Sequence, residues 1–252
     1  MISITFVKYF VCKPNKRKVP NQSMWKKLFR GLWLSILTVS GLFIVSIVLL
    51  RWFPPCYTPL MIWRLAEAPF TKYSGGLHYD WVSIDEMSTW VQRGVIASED
   101  RAFLIHGGVD WRAVDHAKRV NPSRVKRGRP PLGASTISMQ TARSVYLVPS
   151  RTMVRKALEV GITYCIEAVW GKRRILEMYL NVVEWGDGVY GVEAAAQHYF
   201  GKTAARLTRM ESALLVAVLP NPRRFNAGRP SAYIKRRASA ISKGMGGAAL
   251  PR

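Results

Sequence analysis

The sequence predicts a mainly α-helical protein in which a single N-terminal transmembrane helix precedes one all-α domain. Residues 31–50 contain no charged residue. As a helix rising 1.5 Å per residue they span roughly 30 Å, the thickness of a bilayer core. Between positions 153 and 170 apolar residues recur with the 3.6-residue period of a helix. Nowhere do they show the sustained two-residue alternation that is typical of half-buried strands.

The N-terminal segment indicates how the chain is oriented. Every charged residue before position 51 is basic, which predicts a cytoplasmic N-terminus and an exported C-terminal portion. The apolar stretch is longer than that of a cleavable signal peptide, and no small-residue cleavage site follows it. We therefore expect a basic cytoplasmic segment at 1–30, a membrane helix at 31–50 and a connector rich in proline and glycine at 51–80.

Capping and breaking residues place the helices of the domain, which we predict over residues 81–230. Ser83 and Glu86 form a capping-box pattern that predicts a helix through Val95. Asp110 is suited to cap a helix that begins at Trp111. The signals further along the chain are Gly171 and Gly201 as helix breaks, and Thr208 with Glu211 as a second capping box.

Two basic segments are expected to lie outside these helices. Residues 118–129 combine six basic residues with Asn-Pro and Gly, and Pro-Pro follows directly at 130–131, a composition that predicts a mobile loop. Such a loop is either a lid or binding arm, or a solvated surface loop, and the two interpretations are equally favoured. Residues 231–252 are basic and rich in small residues, so we expect a fraying tail.

The overall charge favours anionic partners. The chain has 38 Lys and Arg against 15 Asp and Glu, a formal net charge of +23. The predicted topology argues against nucleic acid, although such a charge often indicates it. Anionic membrane lipids and an anionic substrate then remain as partners.

Two adjacent acids, Glu99 and Asp100, are the first candidates for chemistry. The helix predicted before them ends near this point, where the macrodipole disfavours a carboxylate charge, a setting that suits a general base. Neighbouring residues of a helix point in different directions, so we expect one acid to face a cleft and the other to anchor the loop. A surface turn with two solvated acids is the alternative.

Four blocks of sequence follow one another in an order that resembles a known family. They are E-D-x-x-F-x-x-H-x-G at 99–108, G-A-S-T-I-S-M-Q at 133–140, R-K-x-x-E at 155–159 and R-I-L-E-x-Y-L-N at 174–181. Together they resemble the family-51 glycosyltransferases, the peptidoglycan polymerases. The resemblance implies a lysozyme-like all-α glycosyltransferase domain. Because no transpeptidase motif set accompanies the blocks, we expect a member with this activity alone.

The resemblance also implies a reaction and its partners. Family members join lipid II units: a sugar hydroxyl of the acceptor attacks the anomeric carbon of the donor, with inversion and release of polyprenyl diphosphate. The implied partners are lipid II, the growing glycan chain, membrane lipids, and proteins of cell-wall synthesis or division. The implied location is the bacterial inner membrane, as a single-pass protein with a periplasmic catalytic domain. No cofactor is required, and the family allows a divalent cation, although no metal-ligand spacing is present.

By the same resemblance, Glu99 is the general base and Glu159 is the second catalytic carboxylate. An isolated R-K-x-x-E would instead indicate an intrahelical ion pair. The substrate-binding residues that we expect are Asp100, Phe103, His106, Ser135, Thr136, Gln140, Arg143, Arg155 and Lys156.

Within this set the implied roles differ. Asp100, Phe103 and His106 shape the Glu99 loop, and His106 is placed to reach substrate. Three cations, Arg143, Arg155 and Lys156, are suited to hold phosphate oxygens.

Some of these assignments have alternatives, and two positions depart from the family pattern. Ser135 and Thr136 are as well explained by capping a helix as by a sugar or phosphate contact. Met139 replaces the usual first Gln, which removes a polar contact near the site. Arg143 stands where relatives commonly have Lys, and a forked guanidinium is not an equivalent phosphate ligand.

Two other functions fit parts of the sequence. A lytic enzyme of the lysozyme type would also use spaced acids, but the membrane anchor and the basic R-K-x-x-E block favour a lipid diphosphate donor. A non-catalytic, membrane-tethered scaffold would explain the charge but not the spacing of the acids.

Overall fold

A computed structural model of the chain describes residues 22–71, 76–150 and 152–251. Most of the predicted basic cytoplasmic segment, residues 1–21, lies outside the described residues. The chain divides into two compact units, one up to Ser46 and one from Ile47 onward.

The first unit contains most of a long apolar helix, α1 (Gln22–Leu49). Its stretch Trp25–Leu49 is the one helix among the described residues that is long and apolar enough to cross a membrane. Large side chains such as Leu32, Trp33 and Leu37 are more than half exposed, which favours a lipid environment over water. The helix begins before the predicted start at residue 31, and it is compatible with single-pass membrane anchoring.

The second unit is helical with one small sheet. Its helices are α2 (Pro59–Glu67), α3 (Thr89–Glu99), α4 (Trp111–Lys126), α5 (Ile137–Tyr146), α6 (Met153–Val182), α7 (Val192–Phe200), α8 (Arg209–Val218) and α9 (Ala232–Gly244). The strands are β1 (His78–Tyr79), β2 (Glu184–Gly186) and β3 (Val189–Tyr190), in the order β1-β3-β2. β3 pairs parallel to β1 and antiparallel to β2. Strands of two or three residues are too short to show an alternating pattern, so the sequence did not predict them.

The core lies between two groups of helices. α5 packs against α6, and α8 packs against α3 and α9. The last eight residues of α6, 175–182, are almost entirely buried and include Leu176, Tyr179 and Leu180. The predicted break at Gly171 is confirmed, because its φ of 73° interrupts α6 and such an angle favours glycine. The capping box at Thr208 is confirmed as well, at the start of α8.

The connector after α1 is attached to α6. The indole nitrogen of Trp170 donates to the carbonyl of Ile47 at 2.7 Å, and Arg174 donates to the carbonyl of Leu50 at 3.0 Å. Thr58 caps α2, whose Met61 is fully buried. The connector therefore contributes to the core of the domain rather than only linking it to the membrane helix.

The helix predicted from Ser83 starts later than expected. Ser83 and Glu86 do form a capping box, but it opens only a short 3₁₀ turn. Met87 is extended, with φ −100° and ψ 141°, and α3 begins at Thr89 with Ser88 as its cap. The side-chain amide of Gln92 donates to the carbonyls of Ile84 and Met87, so a tertiary contact stabilises the turn in place of a continued helix.

The predicted mobile loop at 118–129 is wrong for most of its length, because α4 continues through Lys126 with Pro122 inside it. A proline in a helix removes one backbone hydrogen bond. Asn121 compensates by accepting from the amide of Leu132 at 2.7 Å and donating to its carbonyl at 3.2 Å. Arg124 also donates to the carbonyl of Pro130. The segment after α4 thus folds back onto the helix and holds it.

The predicted fraying tail at 231–252 is also wrong, and the domain boundary at 230 moves with it. Ser231 caps α9, and residues spaced along one side of this region are buried against α3 and α8, namely Ile234, Ala238, Ile241 and Met245. The spacing of these residues is helical. The prediction of a tail followed from composition, which counts the many basic residues between them and ignores this spacing.

Candidate active site

Glu99 is the last residue of α3, and it faces a cavity. Its side chain is 16% exposed and lines a cavity of about 520 Å³, which we call the Glu99 cavity. The other walls come from the loop after α3, from residues 133–136 and from α9. Glu99 therefore has the position that the sequence predicted for one acid of the pair, and its catalytic role stays a prediction.

Asp100 has the other predicted position and anchors the loop. Its carboxylate accepts from the backbone amide of Ile137, at the start of α5, at 3.0 Å. Its second partner is Nε2 of His106, at 3.0 Å. Nδ1 of His106 accepts from the amide of Gly108, so the ring proton belongs on Nε2 and points at Asp100. A carboxylate at a helix N-terminus is favourably placed. The hydrogen bond between Asp100 and His106 thus holds the loop in place.

Phe103 belongs to the core beneath this loop. Its ring has no exposed surface, and the ammonium of Lys172 lies 4.7 Å from the ring centre, a cation–π contact. The position of Phe103 agrees with its predicted part in shaping the loop, and its predicted contact with substrate stays a prediction.

Glu159 is fully buried on α6 beneath two cations. Its carboxylate accepts from Arg155, one helical turn earlier, and from the ammonium of Lys156 at 2.7 Å. The same ammonium donates to the hydroxyl of Ser135 at 3.1 Å. Ser135 lines the Glu99 cavity. Glu159 is thus linked to that cavity through Lys156 and Ser135, and the intrahelical ion pair considered for R-K-x-x-E is present.

Both residues of the Ser-Thr pair line the Glu99 cavity, and Thr136 also caps a helix. Thr136 is buried and caps α5 by accepting from the amide of Met139 at 3.1 Å, while its hydroxyl donates to the carbonyl of Gly108. The hydroxyl of Ser135 accepts instead from the ammonium of Lys156. The side chain of Met139 is 2% exposed, so at this departure from the family pattern an apolar residue fills the core.

A second cavity, of about 550 Å³, has Gln140 in its wall and is lined by several cationic side chains. We call it the arginine cavity, because Arg64, Arg143 and Arg155 line it. Glu184 is the carboxylate on its wall. Burial raises the pKa of Glu184, against the opposing effect of Arg64 and Arg223. Two of the three predicted phosphate ligands, Arg143 and Arg155, therefore meet in one cavity, and Lys156 lies toward the other.

Glu177 and Asn181, two residues of the R-I-L-E-x-Y-L-N block, hold the backbone that precedes α3. Glu177 accepts from the amide of Ile84 at 3.0 Å, and Asn181 exchanges two hydrogen bonds with the backbone of Val82. The R-I-L-E-x-Y-L-N block thereby fixes the segment that leads into α3.

Two further residues near Glu99 were missed by the sequence analysis. Arg237 on α9 places Nη2 3.6 Å from Glu99 Oε1 and donates to the hydroxyl of Ser98 at 3.2 Å. Tyr179 on α6 donates to Oε1 of Gln140 at 3.2 Å. The apolar spacing of α9 was a usable signal for Arg237. For Tyr179 the signal was its place in the R-I-L-E-x-Y-L-N block at 174–181.

Within the ranges that the structure describes, no three or more His, Cys, Asp or Glu side chains are grouped so that they could hold a metal ion. The divalent cation that the family allows stays a prediction.

Comparison with known proteins gives this arrangement its context. A sequence model of the transglycosylase family matches residues 67–246. A biosynthetic peptidoglycan transglycosylase of Rhodospirillum centenum is 46% identical over 223 residues, 88% of this chain and 93% of the relative. One from Pasteurella multocida is 42% identical over 235 residues, 93% of this chain and 94% of the relative. One from Escherichia coli is 52% identical over 168 residues, 67% of this chain and 68% of the relative.

The fold and the site together define a mainly α-helical domain that carries a carboxylate on the wall of one cavity and arginines on the wall of another. This chain belongs to the transglycosylase family, because the family match covers more than half of it and the relatives align over most of its length. The match extends well beyond residue 230, in agreement with the packing of α9 into the domain.

Proposed function

We propose that this protein is a peptidoglycan glycosyltransferase that polymerises lipid II into glycan strands and releases polyprenyl diphosphate. The single observation that carries the proposal is the position of Glu99, a partly exposed carboxylate on a cavity wall. Across Gln140 lies a cavity lined by three arginines. Polymerisation requires a base at an alcohol and positive charge at a departing diphosphate, and these two features supply both.

In the proposed reaction Glu99 takes the proton of the acceptor hydroxyl. The freed oxygen forms a bond to the anomeric carbon of the donor while the bond from that carbon to the phosphate oxygen breaks. The electron pair of that bond leaves with the diphosphate, and the configuration at the carbon inverts. General-base assistance of this kind contributes typically about 10²–10⁴ in rate.

Arg143 and Arg155 are the proposed ligands of the leaving diphosphate. Charge-assisted hydrogen bonds from guanidinium to phosphate are strong and often bidentate. In this proposal Glu159 acts on the cations rather than on the sugar: its buried carboxylate holds Arg155 and Lys156 in place. Removal of a buried carboxylate would leave two cations without their partner.

The proposed location is the bacterial inner membrane, with a cytoplasmic N-terminus and a periplasmic domain. The apolar helix Trp25–Leu49 and the purely basic charge before residue 51 support this orientation. Lipid II, the growing strand and membrane lipids are the proposed partners, together with proteins of cell-wall synthesis or division. A reporter enzyme that is active only outside the cytoplasm, fused after Arg252, should be active in cells. An inactive reporter would contradict this orientation.

The decisive test of the reaction is to incubate the purified full chain with labelled lipid II and to separate the products on a gel. The wild-type protein should form polymer, and Glu99→Gln should form none while its circular dichroism spectrum is unchanged. Asp85→Asn is the matched control, because Asp85 is an exposed carboxylate paired with Arg173. It should polymerise normally. Polymer formed by Glu99→Gln at close to the wild-type rate would refute Glu99 as the base.

The same preparation separates the two other functions. A lytic enzyme would release soluble fragments from purified cell-wall sacculi, and a scaffold would give no product from lipid II. Either result, without polymer, would replace the proposed function.

A further inference from the structure

The two oxygens of the Glu99 carboxylate face different elements of the fold. Oε1 accepts from the hydroxyl of Ser98 at 3.2 Å and lies on the side of Arg237. Oε2 accepts from the side-chain amide of Gln140 on α5 at 3.3 Å. The orientation of the carboxylate in the Glu99 cavity therefore depends on the orientation of the Gln140 amide.

The Gln140 amide is itself oriented from below, by Tyr179. Tyr179 is fully buried, and its hydroxyl donates to Oε1 of Gln140 at 3.2 Å. That contact makes Oε1 the acceptor end, so Nε2 is the end that donates to Glu99. A flipped amide would set its oxygen against the Glu99 carboxylate, and the hydroxyl of Tyr179 would lose its acceptor.

The protonation of Tyr179 is compatible with this role. Burial raises the pKa of Tyr179 well above its ordinary value, and the negative charge of Glu99 raises it further. At neutral pH the phenol thus keeps the proton that it donates to Gln140.

We infer that Tyr179 is a positioning residue for the transfer reaction, which orients the Glu99 carboxylate through the amide of Gln140. Tyr179 has no exposed surface, so it acts through Gln140 and not on substrate. Gln140 then also serves as a positioning residue, because both ends of its amide are engaged by the protein. The inference rests on the proposed role of Glu99 as the base.

The first test is Tyr179→Phe, which removes one hydroxyl and keeps the ring. We expect kcat for lipid II polymerisation to fall about fivefold to tenfold, the equivalent of one net hydrogen bond, with KM unchanged. Tyr190→Phe is the matched control. Tyr190 is also fully buried, and its hydroxyl has no hydrogen-bond partner among the described residues, so kcat should stay at the wild-type value.

The second test asks whether Tyr179 acts through Gln140. Gln140→Ala should lower kcat by itself. Adding Tyr179→Phe should then have no further effect, because the residue that links Tyr179 to Glu99 is already absent. A merely structural role of the hydroxyl would lower the melting temperature and leave kcat unchanged, and circular dichroism melts of all variants monitor that effect.

Three results would overturn the inference: an unchanged kcat in Tyr179→Phe, an equal loss in Tyr190→Phe, or a full additional loss in the Gln140→Ala background. Glu99→Gln, assayed beside them, separates this failure from that of the proposed function. An inactive Glu99→Gln together with a fully active Tyr179→Phe would refute only the positioning role of Tyr179. An active Glu99→Gln would refute the proposed role of Glu99 as the base.

Discussion

At the scale of single residues, the surroundings of Glu99 explain how an ordinary carboxylate is held ready at a cavity wall. Ser98, Gln140 and Arg237 approach it from three elements. The carboxylate of Asp100, its neighbour in sequence, is instead hydrogen-bonded to Ile137 and His106. Two adjacent acids thus have separate tasks, since the end of α3 turns their side chains in different directions.

Arg237 gives the first prediction at this scale. Arg237→Ala should lower the rate of polymerisation by about tenfold, because Ser98 loses its donor and Glu99 loses its nearest cation. The assay is the initial rate of polymer formation from labelled lipid II. Arg236→Ala removes the same charge from an exposed neighbour on α9 and should have no comparable effect. A matching loss in both variants would indicate a general effect of charge instead.

At the scale of elements, α9 completes the site from a region that composition alone would assign to a tail. Its buried face packs on α3 and α8, and its cavity-facing side carries Arg237. Gly94 on α3 leaves room for α8 and for the turn that follows α9: a Cβ there would lie 2.6 Å from the side chain of Met245 and 3.2 Å from that of Val216. The end of α3, where Glu99 stands, is therefore held by a helix more than 130 residues later in the chain.

The stability of this arrangement can be tested at Ile234. Ile234 is 1% exposed, and Ile234→Ala should lower the free energy of unfolding by about 2–4 kcal/mol, the usual cost of a cavity in a core. Lys235→Ala, on the exposed side of the same helix, should change it by less than about 0.5 kcal/mol. Chemical denaturation of both variants provides the measurement. Equal stabilities would mean that α9 does not pack into the core.

At the scale of the whole molecule, a basic chain with an apolar N-terminal helix also contains ion pairs between distant parts of its sequence. The net charge is +23, and the apolar helix lies near the N-terminus. Within the unit from Ile47 onward, a set of ion pairs joins distant parts of the sequence. Glu67 on α2 contacts Arg64 at 2.9 Å and Arg223, in the segment between α8 and α9, at 3.1 Å. The connector is thereby tied to the C-terminal third of the domain.

This tie should depend on pH. Burial raises the pKa of Glu67, but hydrogen bonds and charge from Arg223 and Arg64 outweigh that effect and hold the pKa below its ordinary value of 4.5. A lowered pKa in the folded state means that ionised Glu67 stabilises the fold above pH 4.5 and that this contribution is lost as the pH falls through the lowered pKa.

The expected result is that Glu67→Gln lowers the melting temperature at pH 7, and that this difference from wild type disappears in strong acid. Thermal melts of the two proteins over a pH series measure it. A difference that stays constant at every pH would show that the ion pairs do not cause the stabilisation.

Local signals predicted the parts of the fold that local physics decides. The cap at Asp110, the break at Gly171 and the capping box at Thr208 were found because each satisfies or interrupts backbone hydrogen bonds within one turn. The same reasoning was wrong where distant contacts outweigh propensity. Pro122 stays inside α4 because Asn121 and Arg124 bind the segment that follows.

The sequence by itself determined the apolar helix, the mainly α class, the family and the helix end that carries Glu99, because each of these follows from the order of residues along the chain. Only the tertiary structure decided which groups surround that carboxylate. Gln140, Tyr179 and Arg237 come from α5, α6 and α9, and no spacing in the sequence records that they meet. Their meeting depends on how buried faces pack, and packing is a property of the folded chain as a whole.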